Sequence, residues 1–135
     1  MPLFRIGTLD DPRLERYRNL KDTNRTRWSG TFIAEGDKLV DRLLLSEHEV
    51  VSILLGERYV GAFLHRLPPE VPVYAIPDEM VDELVGFNFH RGILACGRRC
   101  ENRPLDRLLN AENRRLTLVV CPDVQDPENL GAMFR

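Results

Sequence analysis

Apolar and polar positions follow two alternating periods along this chain. Thr31–Glu35 reads as a short strand closed by Gly36, and Asp37–Ser46 then places Leu39, Val40, Leu43 and Leu44 on one side of a helix. Val50–Leu55 is a continuous apolar run of strand type, and Glu57–Leu67 a second helix stopped by Pro68-Pro69. Val71–Ile76 is a third strand, and Asp78–Val85 a helix with Met80, Val81, Leu84 and Val85 facing inward. Gly92–Gly97 is a fourth strand, Leu105–Ala111 a short helix, and Leu116–Cys121 a fifth, very apolar strand. Upstream, Asp11 as cap and Pro12 in the first turn open a helix over 11–21.

Strands that alternate with helices and are themselves nearly all apolar belong to a sheet covered on both faces. The expected class is therefore α/β, a three-layer α/β/α sandwich with a parallel or mixed sheet. Its core should hold Ile33, Leu43, Ile53, Leu54, Val73, Leu84, Ile93 and Leu94. The organisation reads as an N-terminal basic arm and helix over 1–30, the sandwich over 31–98, a linker over 99–114 and a further element over 115–135. The linker is marked by the Arg, Asn, Pro and Glu of Arg98–Glu112. In the last element Asp126, Pro127 and Glu128 start a helix directly behind the fifth strand. With a strand in need of neighbours followed by a newly opened helix, the chain is expected to be a piece of a longer protein.

Composition narrows the class further. The chain has 135 residues, 43% of them hydrophobic and 30% charged, enough for a real core under a wet surface. No apolar run reaches the roughly 18 residues of a membrane span, and the N-terminus has no secretory apolar region, so a cytoplasmic protein without membrane contact is expected. Cys96, Cys100 and Cys121 form no CxxC pair and read as reduced thiols, two of them in apolar strands. His48, His65 and His90 share no ligand spacing, so no metal is expected. Neither a GxGxxG nor a GxxxxGK[ST] segment is present, which disfavours a Rossmann or P-loop nucleotide site.

A formal net charge of −2 argues against nucleic-acid binding by bulk electrostatics. The cations are nonetheless distinctive: all of the 19 except Lys21 and Lys38 are arginines, which hold phosphate bidentately and stack on bases. Residues 1–30 set Arg5, Arg13, Arg16, Arg18, Lys21, Arg25 and Arg27 against Asp10, Asp11, Glu15 and Asp22. A second cluster in sequence holds His90, Arg91, Arg98, Arg99 and Arg103. Arg25, Arg27 and Arg91 are the candidate RNA phosphate contacts, weighed against plain solvated loops. Trp28 is a candidate for stacking on a base or packing on the sheet. Glu35 is expected to bond backbone groups at its strand end.

The tail carries the sharpest pattern. Asn129-x-Gly131-x-x-x-Arg135 follows an apolar strand and a short acidic loop, with Gly131 and Arg135 on one helix face. This arrangement resembles the first motif of the SpoU (TrmH-like) RNA methyltransferases of the knotted SPOUT class. FIAEGDKLVDRLL at 32–44 is similar to the family's F-x-x-E-G entry to its accessory substrate-binding domain, and FHRGILA at 89–95 to the H-x-G-x-x-A that opens that domain's last strand. The resemblance implies an RNA 2′-O-ribose methyltransferase acting on ribosomal or transfer RNA with S-adenosylmethionine as donor. It implies a substrate-binding domain resembling ribosomal protein L30e over 31–98 and the start of the SPOUT catalytic domain over 115–135. Asn129 and Arg135 would be the catalytic residues, with Arg135 acting at the target ribose 2′-hydroxyl. The family's donor-site, knot and dimer motifs lie beyond Arg135, so a chain of these residues alone is expected to be an inactive fragment that binds no donor. The complete enzyme is expected to be a homodimer. The alternative is a stand-alone, non-catalytic RNA-binding module of the L30e/L7Ae type.

Overall fold

The structure is a computed structural model that describes residues 2–20, 29–101, 104–109, 117, 119–122, 124 and 126–134. Two compact units divide the chain, Met1–Cys100 and Glu101–Arg135. The first holds strands β1 (Leu3–Arg5), β2 (Thr31–Glu35), β3 (Val50–Gly56), β4 (Val73–Ile76) and β5 (Ile93–Arg98). Its helices are α1 (Asp37–Leu44), α2 (Val60–Phe63) and α3 (Asp78–Val85), with a 3₁₀ helix at Pro12–Tyr17. The second unit holds α4 (Leu105–Leu109) and α5 (Pro127–Met133).

The five strands form one mixed sheet in the order β1-β4-β3-β5-β2. β1 and β3 flank β4 in parallel, whereas β5 runs antiparallel to both β3 and β2. Central β3 is apolar apart from Ser52, in keeping with the cover on both of its faces. Ile53 and Leu55 enter one core with Val40 and Leu43 of α1, while Leu54 enters another with Val81, Leu84 and Val85 of α3. β5 divides in the same way, Ile93 and Ala95 to the first core, Leu94 and Cys96 to the second. Of the expected core, Leu43, Ile53, Leu54, Val73, Leu84, Ile93 and Leu94 are buried, and Ile33, on an edge strand, is only half-buried. Gly97 stands opposite Phe32 in the β2–β5 register, and a Cβ there would lie 2.6 Å from the Phe32 ring. That missing side chain lets the ring lie on the sheet.

Four expectations change. Residues 3–5 of the expected N-terminal arm are an edge strand of the sheet, and Leu14 and Tyr17 are fully buried in the second core. The helix over 11–21 is a six-residue 3₁₀ helix. Asn19 turns to a left-handed φ of 50°, and the amides of Asn19 and Leu20 donate to the carbonyls of Leu84 and Val85. Those carbonyls are the unpaired end of α3, so a long-range need outweighs the local helix signal. The helix over Glu57–Leu67 is broken into a 3₁₀ turn, the four-residue α2 and another 3₁₀ turn. Gly61 weakens it, and only Val60 and Leu67 of the stretch are buried to hold it down. The fifth strand is not seen among the described residues of 116–121, where Val119 and Val120 are exposed and pair with no described strand. Without a neighbour, a strand's backbone groups have no ladder to join.

Candidate nucleic-acid interface

The carboxyl ends of the parallel strands β1, β3 and β4, with the amino end of β5, form one edge of the sheet. In open α/β sheets this is the side where ligands are bound. Two segments singled out in the sequence meet here. The Gly36 amide donates to the Ile93 carbonyl at 2.9 Å, and Arg91 Nε lies 3.9 Å from a Glu35 carboxylate oxygen. Gly36 has φ 87° and ψ 160°, a conformation essentially reserved for glycine, and the Arg91 side chain lies over it. Gly92, at φ 73°, gives its side-chain space to the Tyr59 ring, which would stand 2.7 Å from a Cβ there.

Tyr59 links this junction to the next arginine. The Arg58 guanidinium sits 4.7 Å from the centre of the Tyr59 ring and pairs with Asp78 at 3.2 Å. Further along, Arg5 pairs with Glu57 at 3.1 Å. The side chains of Arg5, Arg58 and Arg91 are 63%, 62% and 67% exposed, so these pairs hold the guanidinium groups loosely and contribute little stability. An incoming phosphate can replace a carboxylate at each. The edge is charge-balanced, with Glu35, Glu57 and Asp78 opposite the three arginines, so it presents placed guanidinium forks and no bulk positive charge. Sequence reading counted Arg5 only among the basic residues of the N-terminal arm and missed Arg58 and Tyr59. Arg5 ends β1, and Arg58 and Tyr59 follow β3 directly, positions that gain meaning once the strand order is known.

The second basic cluster does not form one face. His90 and Arg91 precede β5, whereas Arg98 ends it and Arg99 follows, roughly 20 Å away at strand spacing. Arg98 grips Glu49 through two hydrogen bonds of 2.7 and 3.3 Å, which holds the Glu49 carboxyl below its ordinary range. Arg99 Nε donates to the Thr31 carbonyl at 2.9 Å. His90 is exposed in its turn. Arg25, Arg27, Trp28, Arg103 and Arg135 lie outside the described residues. Of the cysteines, Cys96 is buried in β5, which raises its thiol pKa, Cys100 is exposed, and Cys121 is not in a strand.

In the second unit Asn129 is exposed on α5, and a Cβ at Gly131 would meet nothing within 4 Å. Ala132, Met133 and Phe134 are exposed as well.

No family model matches the chain. In sequence it is 29% identical over 131 residues to uncharacterised tRNA/rRNA methyltransferases of Mycobacterium bovis and Mycobacterium tuberculosis, a match covering 93% of this chain. The chain spans 44% of the length of those curated relatives. Solved structures share the fold. An AdoMet-bound rRNA methyltransferase from Sinorhizobium meliloti superposes with a TM-score of 0.57 at 14% identity, over 74% of this chain and 38% of that one. An RNA 2′-O ribose methyltransferase gives 0.54 at 19% identity, over 74% and 39%. The fold is thus a mixed α/β sheet domain found within RNA methyltransferases. The sequence relatives carry the same general description, tRNA/rRNA methyltransferase.

Proposed function

We propose that this chain is the RNA-binding portion of an RNA 2′-O-ribose methyltransferase of the SpoU (TrmH-like) family, whose complete form uses S-adenosylmethionine. The sheet unit would be its substrate-binding domain, of the type seen in ribosomal protein L30e. Asn129 and Arg135 would belong to its catalytic portion, with Arg135 at the target ribose. The observation that carries this reading is the junction of Glu35-Gly36 with Arg91-Gly92 at the sheet edge. Two segments far apart in sequence, each similar to a motif of that family, meet beside three exposed arginines. RNA of irregular shape suits such a site, because a few fixed forks can read displaced phosphates where a regular duplex would need a broad basic face.

The test is fluorescence anisotropy with a structured ribosomal or transfer RNA across a salt series. Each phosphate contact removed should flatten the slope of log K against log salt by roughly 0.7–0.9. Arg58→Ala with Arg91→Ala should therefore lower affinity and reduce the slope by about 1.5, and Arg25→Ala with Arg27→Ala should do the same. Unchanged affinity and slope in both double variants would remove the RNA assignment.

A further inference from the structure

Away from the carboxyl edge, edge strand β2 and helix α1 border a cleft of about 330 Å³. Its walls are Phe32, Ala34, Leu39 and Leu43, with Arg42 and His48 at its polar margin. That volume lies at the small end of ligand sites, about 300–1,000 Å³, where a few polar groups orient a ligand against apolar walls. Leu39 is 45% exposed although its helix has a well-filled buried face, so its apolar surface is turned to the cleft and solvent.

The charges beside the cleft are arranged for an anion. Lys38 and Arg42 stand one turn apart on α1 and are both exposed, a like-charge pairing that weakens a helix. Neither has an ion-pair partner among the described residues, while neighbouring Asp41 is taken by Arg66 at 2.5 Å. On the other side His48 packs edge-on to Phe32, with ring centres 5.2 Å apart. Its Nδ1 lies 3.1 Å from the Arg98 carbonyl, to which it donates in the Nδ1–H tautomer, and 3.4 Å from the Cys100 thiol. In neutral His48 the remaining Nε2 is then an acceptor, suited to an exocyclic amine or a ribose hydroxyl.

Resting on the RNA reading above, we infer that this cleft receives one unpaired nucleotide of the RNA. The base lies against Phe32, Leu39 and Leu43, its phosphate is held by Arg42 and Lys38, and His48 reads a donor on the base or sugar. Unstacked bases are what proteins capture on aromatic and apolar walls beside a cation. Paired bases cannot enter, so the cleft distinguishes single-stranded from duplex RNA.

The experiment compares binding of a single-stranded oligoribonucleotide and its blunt duplex to the full chain. Leu39→Glu and Arg42→Ala, both at exposed positions, should each weaken single-strand binding about tenfold while duplex binding stays within about twofold. A 4-thiouridine in the single strand should crosslink the wild-type chain within residues 32–48, a readout that needs no variant. If the wild type binds RNA but both variants bind the single strand as tightly and the crosslink falls elsewhere, the cleft assignment is wrong and the edge reading stands. If the wild type binds neither RNA, both fall. A wild-type dimer that Leu39→Glu converts to a monomer would give the cleft to a second copy of the chain and overturn the nucleotide.

Discussion

Arg91 lies across Gly36: a Cβ at residue 36 would stand 2.8 Å from the Arg91 Cδ, and the Gly36 backbone is in a region essentially closed to other residues. Gly36→Ala should therefore destabilise the fold by about 1–3 kcal/mol, chiefly through the backbone, since the Arg91 side chain is exposed and can yield. Thermal or denaturant unfolding checks the value, and a change below about 0.5 kcal/mol would contradict the assigned conformation.

Tyr17 ties the N-terminal segment to the sheet. It has no accessible surface, and its hydroxyl lies 2.7 Å from the Ser52 hydroxyl. Burial pushes the Tyr17 pKa well above its ordinary 10.0, so the folded protein keeps a proton that the unfolded chain loses. Stability should hold below pH 10.0 and decline as pH rises beyond it. Tyr17→Phe should cost about 1–2 kcal/mol at neutral pH, because Ser52 loses its partner, and should flatten that alkaline decline. Denaturation midpoints measured from pH 8 to 11 separate the two effects.

Asp11 caps the 3₁₀ helix by accepting from the Arg13 amide and also binds the Arg13 guanidinium. These hydrogen bonds lower its pKa from 3.8 to about 2. Its contribution is present above pH 3.8 and is lost as pH falls toward about 2. Asp11→Asn should make unfolding less pH-dependent across that window, an effect visible in the acid limb of a stability–pH curve.

Leu43 and Gly97 are complementary parts of one contact. Leu43 is 5% exposed, and its side chain would stand 3.1 Å from a Cβ at Gly97. Leu43→Ala should cost about 2–5 kcal/mol through loss of burial and the space left behind. Gly97→Ala adds a methyl where the Phe32 ring already lies, and should cost about 1–3 kcal/mol by overpacking. Equal stability of Gly97→Ala and wild type would mean that Phe32 does not lie on β5.

The strands Thr31–Glu35 and Val50–Gly56 and the helices Asp37–Leu44 and Asp78–Val85 were legible in the sequence, nearly to the residue. Each buries a face whose period is local, so neighbouring residues suffice to reveal it. The motif segments at 32–44 and 89–95 were readable for the same reason. That they meet was not. Their contact depends on β5 inserting between β2 and β3, a pairing of distant segments that no local period records. The same pairing sends Arg91 and Arg98 to opposite ends of one strand and brings Arg5 and Arg58 to the edge with Arg91. The 3₁₀ segment ends where it does because α3 offers unpaired carbonyls to Asn19 and Leu20. Composition and period therefore determined the class and most elements of this protein, while strand order and long-range hydrogen bonds decided which side chains stand together.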